Sequence, residues 1–119
     1  MTYIKVMAVI ILIAMVVSKF IPAKGVKQIT GEQLKGKLKN KNIQYIDVRT
    51  PREYNQAHVE GFKNIPLKRI RRHYNDLDKD KETIVICHTG IRSMDACKRF
   101  KRYGFTNLTN VKNGLRDFQ

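Results

Sequence analysis

Residues 83–93 read TIVICHTGIRS, and this stretch decides the fold. Thr83, Ile84, Val85 and Ile86 make a β-branched, apolar run that reads as a buried strand. The run ends on Cys87. A short polar loop containing Gly90 follows, and a helical pattern begins after Arg92 and Ser93. A strand that delivers a cysteine into a loop at a helix N-terminus sets up a reactive thiolate. Loop N–H groups point at the sulfur, the helix dipole favours negative charge there, and an arginine adds a full positive charge.

Outward from that centre, strand and helix patterns alternate. Residues 26–29 predict a short strand. Thr30-Gly-Glu-Gln33 has capping-box spacing and starts a helix through Leu34 and Leu38, which Asn40-Lys-Asn42 breaks. Residues 43–48 (IQYIDV) predict a strand. Thr50-Pro51-Arg52-Glu53 is a second helix start, with Thr as N-cap, Pro at the first helical position and Glu three residues after the cap. Residues 64–67 predict a strand edge. Residues 68–77 predict a helix with Ile70, Tyr74 and Leu77 on one face. Residues 83–86 are the central strand, 93–103 a helix stopped by Gly104, 108–111 a last strand and 114–118 a last helical turn. This alternation predicts an α/β fold with a mostly parallel central sheet and helices on both faces. Ligands of such sheets bind beyond the carboxyl ends of the strands, where Cys87 falls.

The chain has 119 residues, 24 Lys+Arg against 10 Asp+Glu, and a formal charge of +14. One domain is expected, at residues 23–119, with roughly 60–65% of its surface buried on folding. The basic balance suits a solvated surface, an anionic membrane face or an anionic small substrate. It does not suit a nucleic acid, because aromatic residues are not interleaved with the basic ones as a stacking platform requires. The two cysteines, Cys87 and Cys97, make no disulfide scaffold and fit a reducing compartment.

Residues 6–17, VMAVIILIAMVV, form an unbroken apolar run bracketed by Lys5 and Lys19. Counted alone it is too short to span a bilayer, which takes ~20 residues. Extended over residues 3–21 it is long enough, with Tyr3 and Phe20 at the two interfaces. Residues 1–22 are therefore expected to be a transmembrane anchor, a single transmembrane helix preceding the domain. A cleaved signal peptide is the rival reading. It is disfavoured by the thin positive n-region and by the poor cleavage context Ser18-Lys19-Phe20-Ile21-Pro22. The flanking charge lies mostly on the C-terminal side, at Lys19, Lys24, Lys27, Lys35, Lys37, Lys39 and Lys41. The positive-inside rule then puts the protein in the cell membrane as a single-pass chain with its C-terminal domain cytoplasmic.

The loop Cys87-His-Thr-Gly-Ile-Arg92 reads as an anion cradle. Gly90 permits the tight curvature by which several N–H groups converge on one point, and Arg92 holds the cradle open or pairs with an oxyanion. Cys87 and Arg92 are the catalytic candidates; His88, Thr89, Gly90, Ile91 and Ser93 are the candidate substrate-binding loop.

With these residues in view, the chain resembles a single-domain rhodanese, a sulfurtransferase. Cys87, Gly90, Arg92 and Ser93 match the signature C-x-x-G-x-R-S. Asp47, Val48, Arg49, Glu53 and Tyr54 match D-V-R-x-x-x-E-[YF]. His58 and Gly61 match H-x-x-G, and Asn64-Ile65-Pro66 matches N-I-P. Ala96, Gly104, Phe105 and Gly114 match the later pattern in part. The departures are Asn113-Gly114 and Phe118, where members often carry two glycines and a nearby tryptophan, and Phe62 in place of a usual alanine. The resemblance implies that the Cys87 thiolate takes a sulfane sulfur from a small anionic donor such as thiosulfate. It then passes the sulfur, as a persulfide, to a thiol, a protein or cyanide, with no cofactor.

Two other classes stay open. One is a non-enzymatic persulfide carrier or redox-sensing module at the membrane. The other is a thiolate phosphatase of related fold, against which the C-x4-R spacing counts, since phosphatase loops run C-x5-R around a larger anion.

Four further residues are supporting candidates. Asp47 and Arg49 read either as a loop support or as a surface ion pair. Glu53 joins them, and His58 reads as a loop-ordering hydrogen bond ahead of a base. Cys97 reads as a small core residue ahead of a resolving thiol. Cys87, His88, His58 and Cys97 lack metal-ligand spacing, so no metal is expected.

Overall fold

β-Branched and aromatic runs pair into five parallel strands in this computed structural model, which describes residues 1–18, 21 and 23–118. The strands are β1 (Lys27–Ile29), β2 (Gln44–Asp47), β3 (Lys63–Asn64), β4 (Thr83–Ile86) and β5 (Leu108–Val111), in the spatial order β1-β5-β4-β2-β3. β4 is central and all four of its residues are buried. In register, Asp47 of β2 lies beside Ile86 of β4, so the carboxyl ends of these two strands open at one level.

Successive side chains of a strand face opposite ways, and here they feed two cores. Val85 and Cys87 face one side with Ile46, Val48, Ala96, Cys97, Phe100 and Phe105. Ile84 and Ile86 face the other with Leu34, Ile43, Tyr45, Phe62 and Val111. The first core is covered by α4 (Ile70–His73) and α5 (Ile91–Arg102). The second is covered by α2 (Gly31–Lys37) and a 3₁₀ turn at Gly114–Asp117. Both capping boxes form in full, at Thr30 for α2 and at Thr50 for α3 (Pro51–Gln56). Gly104, at φ +96, ends α5 as its left-handed stop.

Three expectations shift. The strand expected at residues 64–67 is only Lys63–Asn64, because Pro66 has no N–H for a ladder and Leu67 opens a 3₁₀ turn. The helix expected over 68–77 divides into 3₁₀, α and 3₁₀ pieces, yet Ile70, Tyr74 and Leu77 still share one core, and Tyr74 stacks on Tyr103 with centroids 4.0 Å apart. The helix expected from Ser93 starts at Ile91, so Ile91, Arg92 and Ser93 lie in its first turn rather than in the loop.

The described residues carry the N-terminal expectation only in part. Helix α1 (Thr2–Ser18) has 17 residues and buries none of them. At 1.5 Å per residue it is about 25 Å long, short of a hydrocarbon core of ~30 Å. Among the described residues no helix is long and apolar enough to cross a membrane. The described residues carry this helix as far as Ser18, whose hydroxyl donates to Met15 O at 2.8 Å. Lys19, Phe20 and Pro22, expected as flanking charge, interfacial ring and linker, lie outside the described residues, as does Gln119.

Candidate active site

Cys87 follows the last residue of β4 and is fully buried. Its backbone is clamped from one side by the 3₁₀ turn at Gly114–Asp117: Leu115 N donates to Cys87 O at 2.9 Å and Arg116 N to His88 O at 3.2 Å. The approach is close enough to require glycine. A Cβ on Gly114 would stand 2.2 Å from Cys87 O, and its φ of +59 already favours glycine. Asn113, at φ 62, supplies the preceding left-handed residue, a conformation asparagine tolerates.

The chain then curls back on the sulfur. Gly90, at φ +93, lets its N–H donate to Sγ at 3.0 Å, and Ser93 Oγ lies 3.2 Å from Sγ on the other side. Gly90 is also the N-cap of α5, and no side chain caps that helix. The sulfur therefore sits at the N-terminal end of a 12-residue helix, with the Gly90 N–H donating to it and the Ser93 hydroxyl within hydrogen-bond distance. Asn110 Nδ2 anchors the curl by donating to Gly90 O at 3.3 Å.

Arg92 is at the mouth, but its fork is occupied. Nη1 donates to Glu53 Oε1 at 2.8 Å and Nη2 to Oε2 at 2.9 Å. Glu53 Oε1 also accepts from Thr50 N and Oγ1, at 3.3 and 3.0 Å, so one carboxylate caps α3 and fixes Arg92. The hydrogen bond from Arg92, ahead of those from Thr50, outweighs partial burial and holds the Glu53 carboxyl down at about 2. Arg92 is held charged in turn, by Glu53 first and, more weakly, by the Coulomb pull of Cys87 and Asp47.

Asp47 and Arg49 are not a surface pair. Asp47 is fully buried, and Arg49 reaches both of its carboxylate oxygens, with Nη2 at 2.9 Å from Oδ2. The same guanidinium donates to Ala57 O at 2.6 Å, and Asn64 Nδ2 donates to Asp47 O and Arg49 O at 2.9 and 3.0 Å. Together these bonds tie the loop after β2 to the far end of α3 and to β3.

His58 is exposed, stacks on Tyr54 with centroids 3.7 Å apart, and donates from Nδ1 to Tyr54 O at 2.8 Å. A carbonyl only accepts, so Nδ1 carries the proton and the ring orders its loop. His88 is exposed and, with Arg49, His58, Val59, Leu115 and Phe118, lines a cavity of about 340 Å³. Thr89, Gly90 and Ile91 border a separate cavity beside β5, and Ile91, 42% exposed, also borders a further one with Arg92. Cys97 is fully buried, and burial, with the nearby negative charge of Cys87 as the smaller cause, pushes its thiol up to about 12, which suits packing and not a resolving thiol.

Of the residues singled out from sequence, Cys87, Gly90 and Ser93 meet at one sulfur, and Glu53 and Arg92 meet at the mouth. Asp47 and Arg49 form a buried brace nearby, and His58 shares a cavity with Arg49 and His88 without bonding to the sulfur or to Arg92. The sequence reading missed the pairing of Glu53 with Arg92, because 39 residues separate them. It also missed the tie made by Asn64 and the wedge at Gly114; the N-I-P motif and the Asn-Gly dipeptide were their only signals.

The same elements recur in known proteins. The Rhodanese-like domain matches residues 30–119. YrkF of Bacillus subtilis (strain 168), provisionally named a sulfur carrier protein, is 35% identical over 97 residues. That match covers 81% of this chain and 52% of YrkF, so the chain spans about half the length of that relative. Thiosulfate sulfurtransferase PspE of Escherichia coli (strain K12) is 37% identical over 75 residues, covering 61% of this chain and 71% of PspE. A crystal structure of a rhodanese-like domain protein from Staphylococcus aureus superposes with a TM-score of 0.73 at 29% identity, covering 79% of this chain and 92% of that one. A buried, hydrogen-bonded cysteine just past the central strand, in a chain matched along three quarters of its length, places this protein in the rhodanese-like domain family.

Proposed function

We propose that this protein is a sulfurtransferase that works through a Cys87 persulfide. The observation that carries the reading is the convergence of Gly90 N–H and Ser93 Oγ on Sγ at the head of α5. The Cys87 thiolate attacks the outer sulfur of a donor such as thiosulfate. The Sγ–S bond forms, the donor's S–S bond breaks, and sulfite leaves with the electron pair. A thiolate or cyanide then attacks the terminal sulfur of the persulfide, giving a new persulfide or thiocyanate and returning Cys87 as thiolate. No proton or electron is left over in either half-reaction. Relatives named sulfurtransferase or sulfur carrier support sulfur handling at the family level.

The test is intact mass after incubation with thiosulfate or polysulfide. A gain of one sulfur, ~32 Da, that maps to Cys87 is expected of such covalent catalysis, and Cys87→Ser should lose it. Modification at Cys97 with Cys87 untouched would sink the reading. The name of YrkF favours a second reading in which Cys87 carries its sulfur to a dedicated protein acceptor; loading without multiple turnover on small thiols would select it.

We also propose that residues 1–22 hold the protein at the cell membrane, with the domain on the cytoplasmic side. The unburied apolar surface of α1 and the lysines that follow it, from Lys24 to Lys41, support this. Full-length protein should sediment with membranes and resist high salt and alkaline carbonate. Release by salt alone, or a secreted form starting near Lys24, would reject it.

A further inference from the structure

Helices α4 and α5 lie side by side over the first core. Ile70 of α4 and Phe100 of α5 are buried in it, Tyr74 stacks on Tyr103, and Arg99 Nη1 donates to Leu67 O at 3.3 Å. The outward positions are mostly basic. Lys68, Arg69, Arg71 and Arg72 are exposed in and before α4, and Lys101 and Arg102 are exposed at the end of α5. Among the described residues none of these six has a carboxylate partner. The two acids on these elements are paired elsewhere, Asp95 with Arg99 at 3.4 Å and Asp76 with His73 at 3.2 Å. On the other side of the sheet the lysines of α2 are already met: Lys37 by Glu82 at 3.4 Å, and Lys35, whose Nζ lies 5.4 Å from the centre of the Phe118 ring.

The unmatched positive side is also the side from which α1 leaves. Lys98 Nζ donates to Ser18 O at 3.1 Å, Ala23 N donates to Met94 Sδ at 3.3 Å, and Lys101 Nζ donates to Lys24 O. The end of an apolar helix that buries none of its residues is therefore held against α5.

We propose that the outer face of α4 and α5 is a docking surface for an anionic lipid bilayer, bearing on its phosphate headgroups. The proposal rests on the anchoring role of residues 1–22 above and adds a second contact, which sets the way the domain faces. Arginine dominates around α4, and its planar fork takes a phosphate through two parallel bonds. Clustered cations beside an apolar segment suit a negatively charged leaflet. A nucleic acid fits the face less well, because its two rings, Tyr74 and Tyr103, stack on each other and leave no free platform for a base. Docked in this way, the domain keeps the 3₁₀ turn at Gly114–Asp117, which covers the second core, on the side of the sheet away from lipid.

The experiment places full-length protein in lipid nanodiscs and reads, by mass spectrometry, how fast a water-soluble amine reagent labels each lysine. Passing from phosphatidylcholine discs to discs with about 30% phosphatidylglycerol should slow labelling of Lys68 and Lys101 about fivefold at low ionic strength, and about 0.5 M salt should reverse the effect. Lys35 and Lys37 should change less than about twofold. Arg71→Glu combined with Arg72→Glu, both exposed and outside the site, should abolish the slowing with an unchanged far-UV spectrum. Equal labelling in the two discs, or slowing confined to Lys35 and Lys37, would overturn the proposal while leaving the anchor in place. So would a short RNA that protects Lys68 and Lys101 in phosphatidylcholine discs as strongly as phosphatidylglycerol does. Protein that does not enter phosphatidylcholine discs at all would instead remove the anchoring reading. The face should then still bind phosphatidylglycerol vesicles in a salt-sensitive way that the double variant loses, and absence of that binding would overturn the proposal as well.

Discussion

Replacing Gly114 by alanine probes the coupling between the terminal 3₁₀ turn and the catalytic loop. The added Cβ would lie 2.2 Å from Cys87 O and 2.7 Å from both the carbonyl carbon and oxygen of His88. These are backbone atoms, with no flexible side chain to give way, so the turn or the loop must retreat by about 1 Å, a distortion of the kind that costs roughly 1–3 kcal/mol. The φ of +59 adds about 1–2 kcal/mol for any residue with a Cβ. The expected loss is therefore about 2–5 kcal/mol, or a fall in Tm of at least ~10 °C for a domain of this size. The retreat also pulls at the bonds from Leu115 N to Cys87 O and from Arg116 N to His88 O. Sulfur loading of whatever remains folded should then drop by about tenfold or more, as expected when a reacting atom is displaced by an ångström. Gly36→Ala is the matched control: no atom lies within 4 Å of its added Cβ, and it sits inside α2. It should leave loading alone and raise stability by about 0.4–1 kcal/mol. Urea unfolding and mass-spectrometric loading read both variants. A Gly114→Ala protein with wild-type midpoint and wild-type loading would refute the claim that the turn clamps the loop.

Three more outcomes are expected. Arg92→Ala should lower sulfur transfer more than Arg92→Lys, by about tenfold against a few-fold, because lysine restores charge beside Glu53 without the two-pronged bond; equal, wild-type rates in both would place Arg92 outside the site. Arg49→Met should cost about 3–5 kcal/mol in urea unfolding by stranding the buried Asp47 charge, and Asp47→Leu added to it should recover most of that loss. Cys97→Ala should flatten the alkaline limb of the stability–pH profile. Its thiol titrates at 9.0 when unperturbed and at about 12 when folded, so the stability it contributes is full below about pH 9 and drains away as pH rises toward 12; an unchanged limb would refute the assignment.

The parts of the site legible in the sequence are those that local chemistry writes. Residues 83–86 are apolar and β-branched and can only be central, so Cys87 had to emerge at the carboxyl end of the sheet. Both capping boxes follow from a threonine and a Gln or Glu three residues on, and both are made. What local chemistry does not write is partnership across the sheet. Glu53 satisfies its capping role without any other residue, so nothing in its neighbourhood asks for Arg92. Gly114 reads as a turn residue, and only the approach of Cys87 O shows why no side chain is possible there. The division of residues 68–77 into short pieces is hidden for a related reason: the helical spacing of Ile70, Tyr74 and Leu77 is real, and the backbone meets it with mixed turns.

The two carboxylate–guanidinium pairs are chemically alike, and burial gives them different work. In Asp47–Arg49 the side chains are 0% and 7% exposed; in Glu53–Arg92 they are 34% and 39% exposed. A charge stranded in the first setting has no water to turn to, so that pair holds the loop after β2 in one arrangement. A charge released in the second is met by solvent, and the pair contributes little to stability. What the exposed pair does control is the charge presented to anything that approaches Cys87. Because Glu53 stays ionised down to about pH 2, its carboxylate is matched to Arg92 across the whole range in which a thiolate nucleophile is useful. Variants of the exposed pair should leave the folded protein in place, and variants of the buried pair should change whether the protein folds.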